Sequence, residues 1–342
     1  MADRETLPAH GAAYWEPLAG GRVVCRLCPH GCTLADGGRG LCRSRANRGG
    51  RMVAEGYGRV CALAVDPVEK KPLLHFHPGA RCLSLAAAGC NLACLNCQNH
   101  DISQGAPGGV PSRLMAPDEV ARAAEAAGCG IVAYTYTEPL TWIEYTADCA
   151  RACRRRGLKN VLVTAGYVNA GPLADLLPLI DAANVDLKSF SDDTYRTVCR
   201  ATLAPVLRTL GMMRRAGVWV EVSSLLIPGV SDDMAMIADM CRWLADSGFA
   251  DSPLHFSRFF PQYRMSHLQP TPVATLLAAR DVARRSGLRH VYLGNVALPG
   301  AEDTVCPTCG AVLIRRSGYS VSASGFSGVC TRCGRAVAGV FR

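Results

Sequence analysis

The sequence contains no apolar run that reaches the roughly 18 residues of a membrane span. Its first residues, Met1 to Thr6, lack the basic and apolar regions of a secretory signal. No segment interleaves aromatic with basic side chains, as grooves for single-stranded nucleic acid do. We therefore expect a cytoplasmic protein with no membrane partner, and we do not expect nucleic acid as a partner.

Acidic residues are outnumbered by basic ones, 28 against 37, which gives a net charge of +9. Arginine supplies most of the excess, in patches such as 39–51 and 151–156. A basic surface can attract nucleic acid, an acidic protein or an acidic reductase. The simpler interpretation, which we favour, is a solvated helix face.

Cysteine, in contrast, is abundant, with 18 residues in a chain of 342. In a chain of this length without a secretion signal, CxxC spacings favour metal sites over disulfides. Most of the cysteines fall into three clusters: Cys25, Cys28, Cys32 and Cys42; Cys90, Cys94 and Cys97; and Cys306, Cys309, Cys330 and Cys333. The others are scattered, and we expect most of them to be small buried hydrophobic residues.

Short apolar runs alternate with amphipathic stretches between residue 81 and about residue 293. The runs predicted as strands are 82–88, 130–136, 160–164, 183–187, 218–226, 254–258 and 289–293. The stretches predicted as helices are 117–128, 139–156, 172–180, 191–216, 232–247 and 271–287. This alternation predicts an α/β fold with a parallel sheet, and the number of units favours a partial or complete TIM-type barrel.

The composition divides the chain into four parts. We expect an N-terminal four-cysteine module at 1–55, an irregular connector at 56–80, the barrel at 81–298, and a C-terminal cysteine-rich module at 299–342.

The central cluster, Cys90-x3-Cys94-x2-Cys97, directly follows the first predicted strand. Active sites of such barrels lie at the carboxyl ends of the strands, so this loop lies where catalysis is expected. A [4Fe–4S] cluster is usually held by four cysteines. Three local cysteines would leave one iron open to bind another molecule. The alternative is a zinc site completed by a distant His or Cys.

The spacing CxxxCxxC after a strand resembles the signature of radical S-adenosylmethionine (SAM) enzymes. The resemblance implies a partial (β/α)6 TIM-type barrel in which Cys90, Cys94 and Cys97 hold the catalytic [4Fe–4S] cluster. It further implies that the open iron binds the amino and carboxylate groups of SAM. An electron from the reduced cluster then splits SAM and yields a 5′-deoxyadenosyl radical.

The second predicted strand ends in 134–139, Tyr-Thr-Tyr-Thr-Glu-Pro, where radical SAM enzymes often carry Gly-Gly-Glu-Pro. The resemblance makes Glu138, with Thr137 beside it, a candidate contact for the ammonium of SAM. The alternative is that Glu138 caps the next helix. The third strand ends in Thr164, another candidate SAM contact, but Ala165 replaces the Asn of related enzymes.

The fourth strand ends in Asp186-Leu-Lys188, and activating enzymes of glycyl radical proteins share this Asp-x-Lys. Strand alternation puts both side chains on one side, toward the barrel interior or its mouth. They are candidates to position SAM or a peptide substrate, and the alternative is a structural ion pair. Ile227, at the Ile-Pro-Gly turn after the fifth strand, is a candidate to pack on adenine or a plain core residue.

The two outer clusters each offer four thiolates. Cys306-x2-Cys309-Gly and Cys330-x2-Cys333-Gly resemble a zinc ribbon, for which we expect zinc and a structural or docking role, with iron as the alternative. For the N-terminal set, zinc and an auxiliary Fe–S cluster both remain open; its ligands would be Cys25, Cys28, Cys32 and Cys42.

Together the motifs resemble the radical SAM member of the AmmeMemoRadiSam system, a relative of pyruvate formate-lyase activating enzymes. The resemblance rests on both outer clusters and on 65–72, 90–104, 134–139 and 186–188. We expect a low-potential electron donor of the flavodoxin or ferredoxin type, and hydrogen abstraction from an unknown substrate, for which a protein glycyl residue is one candidate. The alternatives are radical modification of a small molecule or nucleic acid, and a non-catalytic zinc scaffold.

Overall fold

Five short strands build the N-terminal module. The protein is described here by a computed structural model that covers residues 10–323 and 325–341, so residues 1–9 of the predicted module lie outside it. Three strands form an antiparallel sheet and two form a hairpin. They are β1 (Trp15–Pro17), β2 (Val23–Cys25), β3 (Thr33–Leu34), β4 (Arg45–Arg48) and β5 (Arg51–Ala54).

The connector is partly regular, so the prediction of an irregular segment was wrong for its first half. Strand β6 (Arg59–Pro67) pairs antiparallel with β7 (Arg81–Ala87), with a bulge between Val60 and Ala62. The run from Val60 to Val65 is apolar, but so short a run does not reveal by itself whether it forms a strand.

The central sheet has nine strands. The short β8 (Arg113–Leu114) pairs with β6 at one edge. Beginning with β7, seven strands are parallel and adjacent in chain order. The remaining six are β9 (Ile131–Tyr134), β10 (Lys159–Thr164), β11 (Ala182–Asp186), β12 (Trp219–Leu226), β13 (Leu254–Arg258) and β14 (Val291–Gly294).

Helices connect the parallel strands. Most are amphipathic, with their apolar residues buried against the sheet. The helices are α1 (His100–Ser103), α2 (Pro117–Ala126), α3 (Ile143–Arg155), α4 (Ala170–Leu176), α5 (Asp192–Thr194), α6 (Leu203–Arg215), α7 (Met234–Leu244) and α8 (Val273–Arg285). None of the helices within 10–323 and 325–341 has the length and apolar character needed to cross a membrane.

The predicted fold class is confirmed. Strand 254–258 matches its prediction, and the other barrel strands shift by one or two residues at their ends. In the described part of the chain no ladder joins β14 to the opposite edge of the sheet, as expected for a partial barrel. The predicted helix 191–216 is interrupted, because a π-helical turn at Tyr195–Cys199 ends in the left-handed residue Arg200.

The C-terminal module lies at the amino ends of the barrel strands. It contains the antiparallel strands β15 (Thr304–Val305), β16 (Val312–Ser317) and β17 (Ser320–Ser322). Phe76 of the connector packs with Ile131 and Ala182, the first residues of β9 and β11. Val340 of the module exchanges backbone hydrogen bonds with the same connector segment, at His75 and His77. The module is therefore held against the amino ends of the strands, and its first residues also reach β14, where Ala301 accepts a hydrogen bond from the amide of Leu293.

Candidate active site and metal centres

The loop that carries Cys90, Cys94 and Cys97 follows β7 and is fastened to its neighbours. Asn91 Nδ2 donates a 2.7 Å hydrogen bond to the carbonyl of Tyr167, which follows β10. The amide of Ala93 donates to the carbonyl of Cys199 over 3.0 Å. The loop thus lies at the carboxyl ends of the strands, where the sequence predicted a catalytic site.

The three thiols of this loop differ in their surroundings. Burial and the nearby carboxylate of Glu138 hold the pKa of Cys90 well above its usual value. Burial also raises the pKa of Cys97, whose Sγ lies 3.2 Å from the hydroxyl of Ser103. The pKa of Cys94 is lowered instead, because the neighbouring side chain of Cys199 and the ammonium of Lys188 favour its thiolate.

Cys199 is a site residue that the sequence did not reveal. It is one of the scattered cysteines, most of which the sequence predicts to be small buried hydrophobic residues, since no CxxC spacing marks it. The contact with Cys94 and burial hold the pKa of Cys199 well above its usual value, so it remains a neutral thiol. Its backbone is tied to the same loop, because the Cys199 carbonyl accepts from the amide of Ala93.

Glu138 joins the ends of two strands through its buried carboxylate. Oε1 accepts hydrogen bonds from Leu140 N at 3.1 Å and from the Thr164 hydroxyl at 2.6 Å, and Oε2 accepts from Ala165 N at 2.8 Å. Burial raises its pKa, although these donors and Lys188 oppose the rise. Glu138 therefore caps the turn that follows it and also lies close to Cys90.

Asp186 and Lys188 form an ion pair with Nζ and Oδ2 2.6 Å apart. Burial alone would lower the pKa of Lys188, but Asp186 and the sulfur of Cys94 outweigh burial and raise it. The predicted ion pair thus exists, and its ammonium also faces the cysteine loop. A positive charge at this position favours thiolates and a negatively charged cluster.

Two predicted SAM contacts make structural interactions. The hydroxyl of Thr137 donates a 2.6 Å hydrogen bond to the carbonyl of Ala87, at the end of β7. Ile227 is buried within the main core, and its amide donates to the hydroxyl of Ser231 at 2.9 Å. The prediction that they touch SAM stays a prediction.

The C-terminal cysteines converge on a point. Cys306 Sγ lies 3.5 Å from Cys333 Sγ, and Cys309 Sγ lies 3.6 Å from Cys330 Sγ. Although burial acts in the opposite direction, backbone amides of the loop that includes Cys309 lower the pKa of Cys306 to about 6. The four sulfur atoms converge, and the lowered pKa of Cys306 favours its thiolate form. Together the four residues form a metal site.

The central cysteines are spaced differently. Among residues 10–323 and 325–341, the C-terminal four are the one set of three or more His, Cys, Asp or Glu residues with all ligand atoms within 4.8 Å of one another. The sulfurs of Cys90, Cys94 and Cys97 are therefore too widely separated for a single ion. Their spacing and soft thiolate chemistry fit a [4Fe–4S] cluster.

The N-terminal cysteines share one enclosed cavity. The structure brings together all four residues that the sequence predicted, and they line this cavity with Arg45 and His30. They are Cys25, Cys28, Cys32 and Cys42.

Comparison with known proteins adds to this geometry. Residues 85–241 match the family described as the radical SAM superfamily. The chain is 44% identical to an uncharacterized protein of Methanocaldococcus jannaschii over 305 residues, 89% of this chain and 91% of that protein. It is 28% identical to pyruvate formate-lyase 1-activating enzyme of Escherichia coli strain K12 over 229 residues, 63% of this chain and 93% of the enzyme.

One solved structure is similar to this chain in fold only. It is Streptococcus suis SuiB bound to S-adenosylmethionine, with a TM-score of 0.50 and 12% identity, covering 70% of this chain and 56% of SuiB.

Proposed function

Because the chain belongs to the radical SAM superfamily, we propose that it cleaves SAM and abstracts a hydrogen atom from a substrate. Cys90, Cys94 and Cys97 would hold the cluster. When bound, the [4Fe–4S] cluster and SAM supply a one-electron cleavage that generates a 5′-deoxyadenosyl radical. The observation that supports this most is the set of three widely spaced thiols at the carboxyl end of β7, beside Lys188.

The side chains around the loop have separate roles in this proposal. Glu138 offers a buried carboxylate, held in one orientation by three donors, that can accept a hydrogen bond from an ammonium group. Lys188 balances negative charge at the sulfurs, and Asp186 holds its ammonium in place. Cys199, whose carbonyl accepts from the amide of Ala93, would reduce the basicity of the neighbouring Cys94 sulfur.

The substrate class in this proposal is a protein. A partner protein would donate the hydrogen from a glycyl residue, and a low-potential flavodoxin or ferredoxin would supply the electron. The identity with pyruvate formate-lyase 1-activating enzyme and the Asp186-x-Lys188 motif support this class. Within the superfamily, the motifs of both outer modules support the AmmeMemoRadiSam member as the type of enzyme.

The test is SAM cleavage under a low-potential chemical reductant, with the anaerobically reconstituted full chain. We expect 5′-deoxyadenosine from the wild type and from Cys61→Ser, because Cys61 is half-buried and outside all three clusters. Cys94→Ala should produce none. Deuterium transfer from candidate partners to 5′-deoxyadenosine then distinguishes a protein from a small molecule or nucleic acid. Zinc instead of iron in the wild type, with no product, would support a scaffold and refute the enzyme.

A further inference from the structure

We infer that the N-terminal module holds a second iron–sulfur cluster rather than a zinc ion. Its four cysteines line one enclosed cavity of about 10 Å³. A zinc ion bound by four thiolates at about 2.3 Å would hold their sulfurs about 3.8 Å apart, which leaves no such space between them.

The C-terminal module provides an internal comparison. Its sulfurs approach to 3.5 Å and 3.6 Å, as zinc ligands do. In the described ranges 10–323 and 325–341, no three of the N-terminal sulfurs lie within 4.8 Å of one another, although all four cysteines line the same cavity. Thiolates at the corners of an iron–sulfur cube are farther apart than thiolates on one ion, so the N-terminal spacing fits a cluster.

The surroundings of Arg45 independently indicate that the cavity binds an anionic group. Its side chain lines the cavity, is 1% exposed and forms an ion pair of 2.7 Å with Glu144. Within the described residues, its Nε is buried and has no hydrogen-bond partner. A sulfide or thiolate in the cavity would accept this hydrogen bond, as sulfurs of buried clusters accept N–H donors.

The cavity adjoins the catalytic loop. His30 Nε2 lies 2.7 Å from the carbonyl oxygen of Asn91, and Arg43 Nη1 donates to the carbonyl of Cys90 over 3.4 Å. The carbonyl of Cys42 lies so close to Gly89 that a Cβ there would clash with it. The second cluster therefore lies beside the loop that carries Cys90, Cys94 and Cys97. That this loop holds the first cluster rests on the proposed function.

The test separates the metal sites by mutation. A triple variant with Cys90, Cys94 and Cys97 changed to Ala should keep about four iron and four sulfide ions per chain after anaerobic reconstitution. It should also keep zinc at the C-terminal site and show an electron paramagnetic resonance signal on reduction. Adding Cys28→Ala should remove the iron, sulfide and signal but leave the zinc.

Cys61→Ser in the triple variant is the matched control and should keep the iron. If Cys28→Ala prevents folding, the iron content of the reconstituted wild type is measured instead. Two clusters give about eight iron ions per chain, and one cluster gives about four. A triple variant with zinc at both outer modules and no iron would overturn the inference. None of these readouts depends on SAM cleavage, so failure of this inference is distinct from failure of the proposed function.

Discussion

The hydroxyl of Thr164 donates a 2.6 Å hydrogen bond to Oε1 of Glu138, so that two neighbouring barrel strands share one buried carboxylate. Glu138→Gln keeps the shape of the side chain but removes its charge and places an NH2 group near backbone donors. If this carboxylate receives the ammonium of SAM, the loss of a charged hydrogen bond should weaken SAM binding about tenfold or more. Equilibrium binding of SAM to the reconstituted variant measures the effect.

Glu125→Gln is the control for this substitution. Glu125 forms an exposed ion pair with Arg156 at 2.6 Å, and such surface pairs contribute little. The iron content of both variants should match the wild type. Unchanged SAM affinity in Glu138→Gln would leave Glu138 with its capping role alone.

Lys188→Met should make the reduction potential of the central cluster more negative. The ammonium lies near the sulfurs of Cys94 and Cys97, and a positive charge favours the state with one more electron. A charge interaction of about 1 kcal/mol corresponds to roughly 40 mV for one electron. A redox titration followed by electron paramagnetic resonance, in a variant without the N-terminal cysteines, reports this cluster alone.

Asp186→Asn provides the opposite change at the same ion pair. It removes the negative partner but leaves the ammonium, so the potential should become less negative. Equal reduction potentials for the two variants and for the protein with Asp186 and Lys188 intact would show that the ion pair only stabilises the barrel.

The fold and the grouping of the outer cysteines could be predicted because they depend on local patterns. Alternating apolar runs placed the seven parallel strands, and thiol spacing grouped the cysteines that the structure brings together at the two outer modules. The parts that could not be predicted depend on contacts between distant segments. Cys199 meets the loop because a π-helical turn presents it, and no spacing in the sequence links it to Cys94.

The position of the N-terminal module next to the loop of Cys90, Cys94 and Cys97 could not be predicted from the sequence either. No spacing in the sequence links His30 to the central cysteines, yet its Nε2 lies 2.7 Å from the carbonyl oxygen of Asn91. Such packing of one module on another depends on the final shape of both surfaces, which no periodicity encodes.

Gly89→Ala should disturb the contact between the N-terminal module and the loop that carries Cys90. Gly89 has φ +103°, and an added Cβ would clash with the carbonyl of Cys42 and the hydroxyl of Ser44. Gly108→Ala is the matched control, because its φ is +87° with nothing within 4 Å. Both changes cost about 1–2 kcal/mol of backbone strain.

Only Gly89→Ala should also lower the iron content, since the clash displaces Cys42 from its cavity. Iron and sulfide analysis of the two variants, purified in parallel, measures this difference. Equal iron contents would contradict the proposed close packing of the two sites.

Cys309→Ser should release zinc from the C-terminal module without removing iron. The zinc content should fall from about one ion per chain toward zero. The melting temperature should also fall, because the module loses the bound metal that stabilises its fold. SAM cleavage per central cluster should persist, since the module contacts the connector at the amino ends of the strands. Cys61→Ser is the control, and loss of iron in Cys309→Ser would contradict a purely structural zinc site.

Stability should fall with acidity because of His75. This buried imidazole lies between the carbonyl of Ala338 (2.7 Å from Nδ1) and the hydroxyl of Tyr292 (2.6 Å from Nε2). Because a carbonyl only accepts, Nδ1 carries the proton and Nε2 accepts. Burial lowers the pKa of His75 to about 3, with Glu221 opposing this shift and nearby His290 and Arg316 reinforcing it.

The folded protein therefore keeps His75 neutral where the unfolded chain is protonated, below about pH 6.5. The contribution of His75 to the free energy of unfolding is fully present above that pH. It is lost as the pH falls toward 3, by about 1.4 kcal/mol per pH unit. His75→Gln removes this contribution, so its melting temperature should fall less steeply between pH 7.5 and 5 than that of the wild type. The exposed His267, changed to Gln, should leave the wild-type slope intact. Parallel curves for wild type and His75→Gln would show that His75 is protonated in the folded protein.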